Sequence, residues 1–216
     1  MKTLVICGSP RIHGDTRRLV DLFCQNMSGE IRILDVYRSS ISGCMDCRYC
    51  WEHAECALQD EMQEQYAYME DCDCILLASP VYFSELTGKL LDVMSRLQRY
   101  FCARFFRKEE LIGKPKKGAI LLLGGGDGNP DRALATAQTL LHQMRVDDIA
   151  PAVIYHNTNI TPAIEDECTR RAVIELAEFF TRDEREVKVR NIGPLPLHPD
   201  RSEIRKKLLQ TLEGKE

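Results

Sequence analysis

Five short apolar runs, at residues 3–7, 31–36, 74–78, 119–123 and 152–155, constrain what this chain can fold into more than any other feature. Each is four to six residues long, and most are rich in Ile, Leu and Val. Runs so short and so continuously apolar read as strands covered on both faces, as in a parallel sheet between helices. The intervening segments carry apolar residues at helical spacing. Residues 15–27 place Leu19, Val20, Leu22 and Phe23 on one face, and residues 85–106 do the same with Leu86, Leu90, Leu91, Met94 and Leu97. Residues 131–144 and 164–180 follow, the second opening after Thr161-Pro162 with acidic residues in its first turn, and a shorter helix is expected over 60–70. Strand and helix alternate throughout, which predicts a doubly wound α/β sheet.

The rest of the composition narrows the class. With 44% hydrophobic residues in 216, the chain can bury the core of one ordinary domain. No apolar run approaches the roughly 20 residues that a membrane span needs. A net charge of −4 gives no general attraction to nucleic acid. No leader-like segment precedes the first strand, so the expectation is a cytoplasmic protein with neither membrane nor nucleic-acid partners. Two segments fall outside the strand–helix alternation. Residues 39–59 form a cysteine-rich insertion, and residues 191–216, with three prolines and a charged run over 201–212, read as an arm appended to a domain at 1–190.

In an open parallel sheet, ligands bind beyond the carboxyl ends of the strands. After the first strand comes Gly8-Ser9-Pro10-Arg11-Ile12-His13-Gly14-Asp15-Thr16, which has neither the glycines of a dinucleotide loop nor the Gly-Lys-Ser/Thr of a P-loop. It offers two hydroxyls, a guanidinium and the N–H groups of a helix start, the parts of a phosphate cradle or of an ordinary capped turn. After the third strand, Ser79-Pro80-Val81-Tyr82-Phe83-Ser84 suits either the plane of a conjugated ring or an aromatic pair folded back on the core. After the fourth, Gly124-Gly125-Gly126-Asp127-Gly128-Asn129 lets backbone approach a flat ligand, unless it is simply a mobile loop. Three unusual loops at these three places select a bound cofactor.

The ten cysteines are many for a chain expected in a reducing compartment, where metal or redox chemistry outweighs disulfide pairing. Cys44, Cys47, Cys50 and Cys56 follow the pattern C-x2-C-x2-C-x5-C. Thiolates this crowded ligate iron–sulfur or zinc, and the close triple favours iron–sulfur over the two separated knuckles of structural zinc. His13 could touch a cofactor or be solvated, and the basic run over 104–117 is a solvated surface or a docking face for an acidic redox partner.

Gly8-Ser9-Pro10-Arg11 with Gly14-Asp15-Thr16, together with Ser79-Pro80-Val81-Tyr82-Phe83, resembles the NADPH-dependent FMN reductase family of flavodoxin-like proteins over about the first 180 residues. The cysteine spacing is similar to that of its iron–sulfur flavoprotein branch. The resemblance implies a five-stranded sheet of order 2-1-3-4-5 and an FMN-dependent oxidoreductase. It places the FMN phosphate on Ser9, Arg11, Gly14, Asp15 and Thr16, and the ring against Pro80, Val81, Tyr82, Phe83, Ser84 and Gly124, Gly125, Gly126 and Asp127. It further implies a 4Fe-4S cluster on Cys44, Cys47, Cys50 and Cys56, exchange with NAD(P)H or a redox protein, and a homodimer or homotetramer. A cluster-free NAD(P)H:FMN or quinone reductase and a non-catalytic redox carrier or sensor are the alternatives. The chain departs from the family in carrying Asp15 in place of the usual Asn, whose carboxylate must turn away to cap the helix, and Ser95 before Arg96 in place of Asp-Arg.

Overall fold

A computed structural model describes residues 1–182; the arm expected over 191–216 lies outside the described residues. Strand β1 (Lys2–Cys7) leads into α1 (Asp15–Gln25) and β2 (Glu30–Asp35). The cysteine-rich loop follows, with a single 3-10 turn at Tyr49–Trp51, and then α2 (Met62–Asp71) and β3 (Cys74–Pro80). Helices α3 (Gly88–Met94) and α4 (Gln98–Cys102) lead to β4 (Lys116–Leu123) and α5 (Asp131–Gln143). Strands β5 (Val146–Ile149) and β6 (Val153–Tyr155) and helix α6 (Glu167–Thr181) complete the described chain.

The sheet is parallel, with order β2-β1-β3-β4-β5, and β6 also pairs with β4. The expected doubly wound architecture is present, and the run at 152–155 becomes β6. Strand β5 is an addition that no apolar run announced. Its sequence is Val-Asp-Asp-Ile, with Asp147 and Asp148 exposed, because it is an edge strand and lacks a partner sheet face to bury. It pairs with Lys116–Gly118 at the start of β4, whereas β6 pairs with Leu121–Leu123 at the end. A side chain at Gly118 would put a Cβ 2.4 Å from Val146 Cγ1, so β4 is bare there to admit β5.

Side chains along the central strands alternate strictly between two cores. Leu4, Ile6, Ile75, Leu77, Ile120 and Leu122 face α2, α3 and α5. Val5, Leu76, Ala78, Ala119 and Leu121 face α1 and α6. The long helix expected over 85–106 is broken into α3, a 3-10 turn at Ser95–Leu97, α4, and a π-helical turn at Ala103–Arg107. The Ser95 hydroxyl donates to the Asp92 carbonyl at 2.6 Å, a back-bond that competes with regular helix geometry. Among the described residues no helix is long and apolar enough to cross a membrane.

Phe23 on α1 is fully buried and meets Phe180 on α6 edge-to-face, with ring centroids 5.5 Å apart. Phe23→Ala is expected to lower the unfolding free energy by about 3–5 kcal/mol, read from denaturant curves at constant m-value.

Candidate cofactor sites

The first site is a cleft of about 540 Å³ at the carboxyl edge of the sheet, within the size range of small-molecule sites. Arg11, Asp15 and Thr16 line it from the loop after β1 and the first turn of α1. Pro80, Val81, Tyr82 and Phe83 line it from the end of β3, and Leu123 and Gly125 from the end of β4. Thr158 and Asn159, from the loop after β6, complete the wall. The loop after β4 is laced to this last segment: Thr158 N–H donates to the Gly124 carbonyl at 3.1 Å and Asn157 N–H to the Gly126 carbonyl at 3.2 Å. A Cβ on Gly125 would lie 2.8 Å from Asn159 Nδ2, so the glycine is what lets the two loops close together. Thr158 and Asn159 were not anticipated. The signal was present, since Asn157-Thr158-Asn159 stands just beyond a strand's carboxyl end, as the three chosen loops do.

Other expected residues shape the cleft from behind. Ser9 is buried, and its hydroxyl bonds the Arg11 backbone at 3.3 Å, fixing the turn. Gly14 is the N-cap residue of α1 and packs against Arg11, where an added Cβ would be 2.9 Å from the Arg11 Cβ. Asp15 does not cap its own helix. Its Oδ1 accepts the Ala163 N–H at 2.9 Å, so the carboxylate is turned toward the 3-10 turn that precedes α6. The Ser84 carbonyl accepts from Ala133 N–H and so anchors the β3 loop to α5, while Gly124 is buried and Gly126 and Asp127 are exposed. His13 is exposed.

Tyr82 to Glu85 form a tight hairpin turn, with Tyr82 and Glu85 exchanging N–H···O=C bonds of 2.9 and 3.0 Å. Its two central residues, Phe83 (φ 53°) and Ser84 (φ 63°), are both left-handed, a conformation normally given to Asn or Gly. Holding two side-chain-bearing residues there costs about 1–3 kcal/mol each. Thr136 donating to Glu85 at 3.0 Å and Ala133 donating to Ser84 at 3.0 Å keep the turn closed. The result is a fully exposed Phe83 ring at the rim of the cleft.

The second site is the cysteine loop. Cys44, Cys47, Cys50 and Cys56 all line one pocket, joined by Cys102 from α4 and by Arg96 and Arg99. The loop is held from the start of α2, where Gln63 donates to the Leu58 carbonyl at 2.6 Å and Glu61 accepts from Ser40, and from α3 and the segment between α3 and β4. Lys89 donates to the Ile41 carbonyl at 2.7 Å, and Ser95 Oγ accepts the Cys44 N–H at 2.8 Å. Arg99 donates to the Ala54 carbonyl at 2.6 Å, and Arg107 Nη1 to the Cys50 carbonyl. Trp51 stacks on Phe106 with centroids 4.3 Å apart. Ser95, a departure from the family pattern, is thus the acceptor that fixes the first cysteine. At the centre Arg96, with its side chain only 1% exposed, pairs with Asp60 at 2.7 and 3.2 Å and donates to the Ser42 and Leu58 carbonyls. One guanidinium thereby ties both ends of the loop.

The donor set fits an anionic, sulfur-ligated group. Four thiols surround the pocket, while Arg96 Nε and Arg107 Nη2 are buried there or beside it with no hydrogen-bond partner among the described residues. Buried N–H groups left unpaired are costly unless an acceptor meets them. Among the described residues no three metal-binding side chains converge as they would around a bound metal ion. The Cys50 thiol is pulled down to about 7, chiefly by a hydrogen bond from Cys102, with burial opposing and the Arg107 charge assisting. Burial pushes the Cys44 thiol up, and hydrogen bonding to Cys50 together with burial pushes Cys102 up.

The parallel sheet with a ligand cleft at this edge is flavodoxin-like, and the family match makes the chain a flavin-dependent oxidoreductase. The sequence model of NADPH-dependent FMN reductase matches residues 1–159, and the chain belongs to that family. It is 30% identical over 141 residues to an iron-sulfur flavoprotein of Methanocaldococcus jannaschii, covering 63% of this chain and 68% of the relative. An iron-sulfur flavoprotein of Archaeoglobus fulgidus is 26% identical over 156 residues, 71% of this chain and 68% of the relative. In fold it is similar to an FMN-dependent NADH-azoreductase of Bacillus anthracis solved with FMN, with a TM-score of 0.62 and 13% identity over 84% of this chain and 99% of that one.

Although burial opposes ionisation, Arg96 and backbone N–H groups hold the Asp60 carboxyl below its ordinary value of 3.8. A folded-state pKa that is depressed stabilises the protein above the unfolded value, and that contribution is lost as pH falls through the folded value. Arg96→Met is expected to cost about 3–5 kcal/mol at pH 7, because it leaves the Asp60 charge with backbone N–H partners alone and strips the Ser42 and Leu58 carbonyls of their guanidinium donor. The advantage of the wild type over Asp60→Asn should shrink below pH 3.8, measured by urea unfolding across pH.

Proposed function

We propose that this protein is an iron–sulfur flavoprotein, an oxidoreductase that holds FMN in the cleft and a 4Fe-4S cluster in the cysteine pocket. The observation that carries the reading is the gathering of Cys44, Cys47, Cys50 and Cys56 on one pocket with two buried, unpartnered arginine N–H groups, in a chain of the FMN reductase family. The names of its curated relatives support it. When bound, FMN supplies two-electron exchange and the cluster one-electron transfer.

The chain's own part is to bind, orient and shield. Arg11, Thr16 and the N-terminal turn of α1 receive the phosphate, where helix N–H groups and positive charge favour an anion. Pro80 to Phe83 lie against the flat ring, and Gly125, Thr158 and Asn159 offer polar groups to its edge. Tyr82 and Phe83 at the rim give a planar donor or acceptor an apolar surface, in keeping with NAD(P)H or a redox protein as the exchange partner. A second copy of the chain, in a homodimer or homotetramer, would cover the rim from solvent.

Two measurements test this reading. Anaerobically purified protein should carry one FMN with about four irons and four acid-labile sulfides, and Cys47→Ser should lose the broad cluster absorption while keeping flavin. Flavin without iron or sulfide would make it the cluster-free reductase. Separately, Arg11→Ala should weaken FMN binding by about 1.5–3 kcal/mol, roughly ten- to hundredfold, and riboflavin should bind far more weakly than FMN. Equal affinities for FMN and riboflavin would refute the phosphate cradle.

A further inference from the structure

Two side chains outside the C-x2-C-x2-C-x5-C motif converge on Cys50. The Cys102 thiol, on α4 and only 3% exposed, lines the same pocket as Cys50. Arg107 donates through Nη1 to the Cys50 carbonyl and through Nε to Glu109 at 2.9 Å. Its side chain is 9% exposed, and its Nη2 has no partner among the described residues. This placement is built rather than incidental. Arg107 ends the π-helical turn at Ala103–Arg107, the following Lys108 is left-handed at φ 61°, and the neighbouring Phe106 is clamped on Trp51, the residue after Cys50. A π-turn shifts the helix register by one residue, and such turns recur at functional sites. Without it, Arg107 would point elsewhere on the helix.

We propose that Cys102 and Arg107 are positioning residues that set the reduction potential of the iron–sulfur group through Cys50. The proposal rests on the cluster reading above. A sulfur ligand that accepts a hydrogen bond, and a buried cation beside it, both favour the more negative, reduced form of the group and so raise its potential. The step they influence is the gain of one electron from an outside reductant, with no bond made or broken in the chain. In this proposal Cys102, a buried fifth thiol on the wall of the pocket, serves as a donor to Cys50 and is not itself a ligand.

The test is a dithionite titration of loaded protein in the presence of redox dyes, followed by electron paramagnetic resonance, after iron and sulfide have been counted for each variant. Cys102→Ala and Arg107→Met should keep the wild-type iron content and show midpoints shifted to more negative potential. Cys102→Ser, which keeps a donor, and Arg107→Lys, which keeps the charge, should each return toward the wild-type value. Loaded Cys102→Ala and Arg107→Met at the wild-type potential would overturn the proposal. Loss of iron in Cys102→Ala would also overturn it, by making Cys102 a ligand. If Arg107→Met does not load, the Cys102 pair alone decides. A wild type with flavin but no iron or sulfide would sink the cluster reading itself, and the count reveals that before any potential is measured.

Discussion

The pairing of the buried Arg96 with Asp60 is the contact on which the cysteine loop depends. A loop of some twenty residues with little secondary structure has a large conformational entropy to lose, and apolar contacts alone do not fix it. One guanidinium has enough donors to bond the chain before the first cysteine, the chain after the last, and the carboxylate that starts α2. Removing such a charge from water is expensive, and only this dense set of acceptors offsets the cost. The loop is thus held at its two ends by a group in the protein interior, while Cys44 and Cys47 remain exposed.

A single stretch of chain serves both sites. Residues 80–83 line the cleft at the end of β3, and residues 96–102 wall the cysteine pocket after α3. Between them α3 buries Leu90, Val93 and Met94 in the core. Thr87 donates to the Gly8 carbonyl at 2.9 Å, and Gly8 is packed so closely that a Cβ would meet Leu90 at 2.9 Å. The loops after β1 and β3 and the cysteine loop are therefore referenced to one helix. That arrangement gives the cleft and the cysteine pocket a common frame.

Much of this was legible in the sequence, and the failures have physical causes. Strands β1, β3 and β4 announced themselves because burial on both faces forces an unbroken apolar run. Strand β5 did not, because an edge strand keeps its charges in water. The loops at Arg11–Thr16 and Pro80–Phe83 were found from their position beyond strand ends, and Thr158 and Asn159 could have been found by extending that logic to one more strand. What sequence pattern could not show was the work of arginines. Arg96, Arg99 and Arg107 look like solvated helix residues by spacing, yet each reaches across to a carbonyl of the cysteine loop. Long side chains choose partners far away in sequence, and no local period records that choice. The break of the 85–106 helix escaped for the same reason, since it serves contacts made with residues 42–60.

The division of labour between β5 and β6 also bears on how the chain behaves at high concentration. An uncovered sheet edge is a template on which another molecule can add a strand, the first step toward aggregation. Here the outer neighbour of β4 is two pieces of four and three residues, separated by Ala150, Pro151 and Ala152 and carrying Asp147 and Asp148 exposed. Proline cannot donate to a ladder, and the paired acids repel a copy of themselves. An incoming strand would meet no run of bonding groups long enough to grip. A strand too polar to be recognised from its sequence is, for that same reason, a poor seed for fibres.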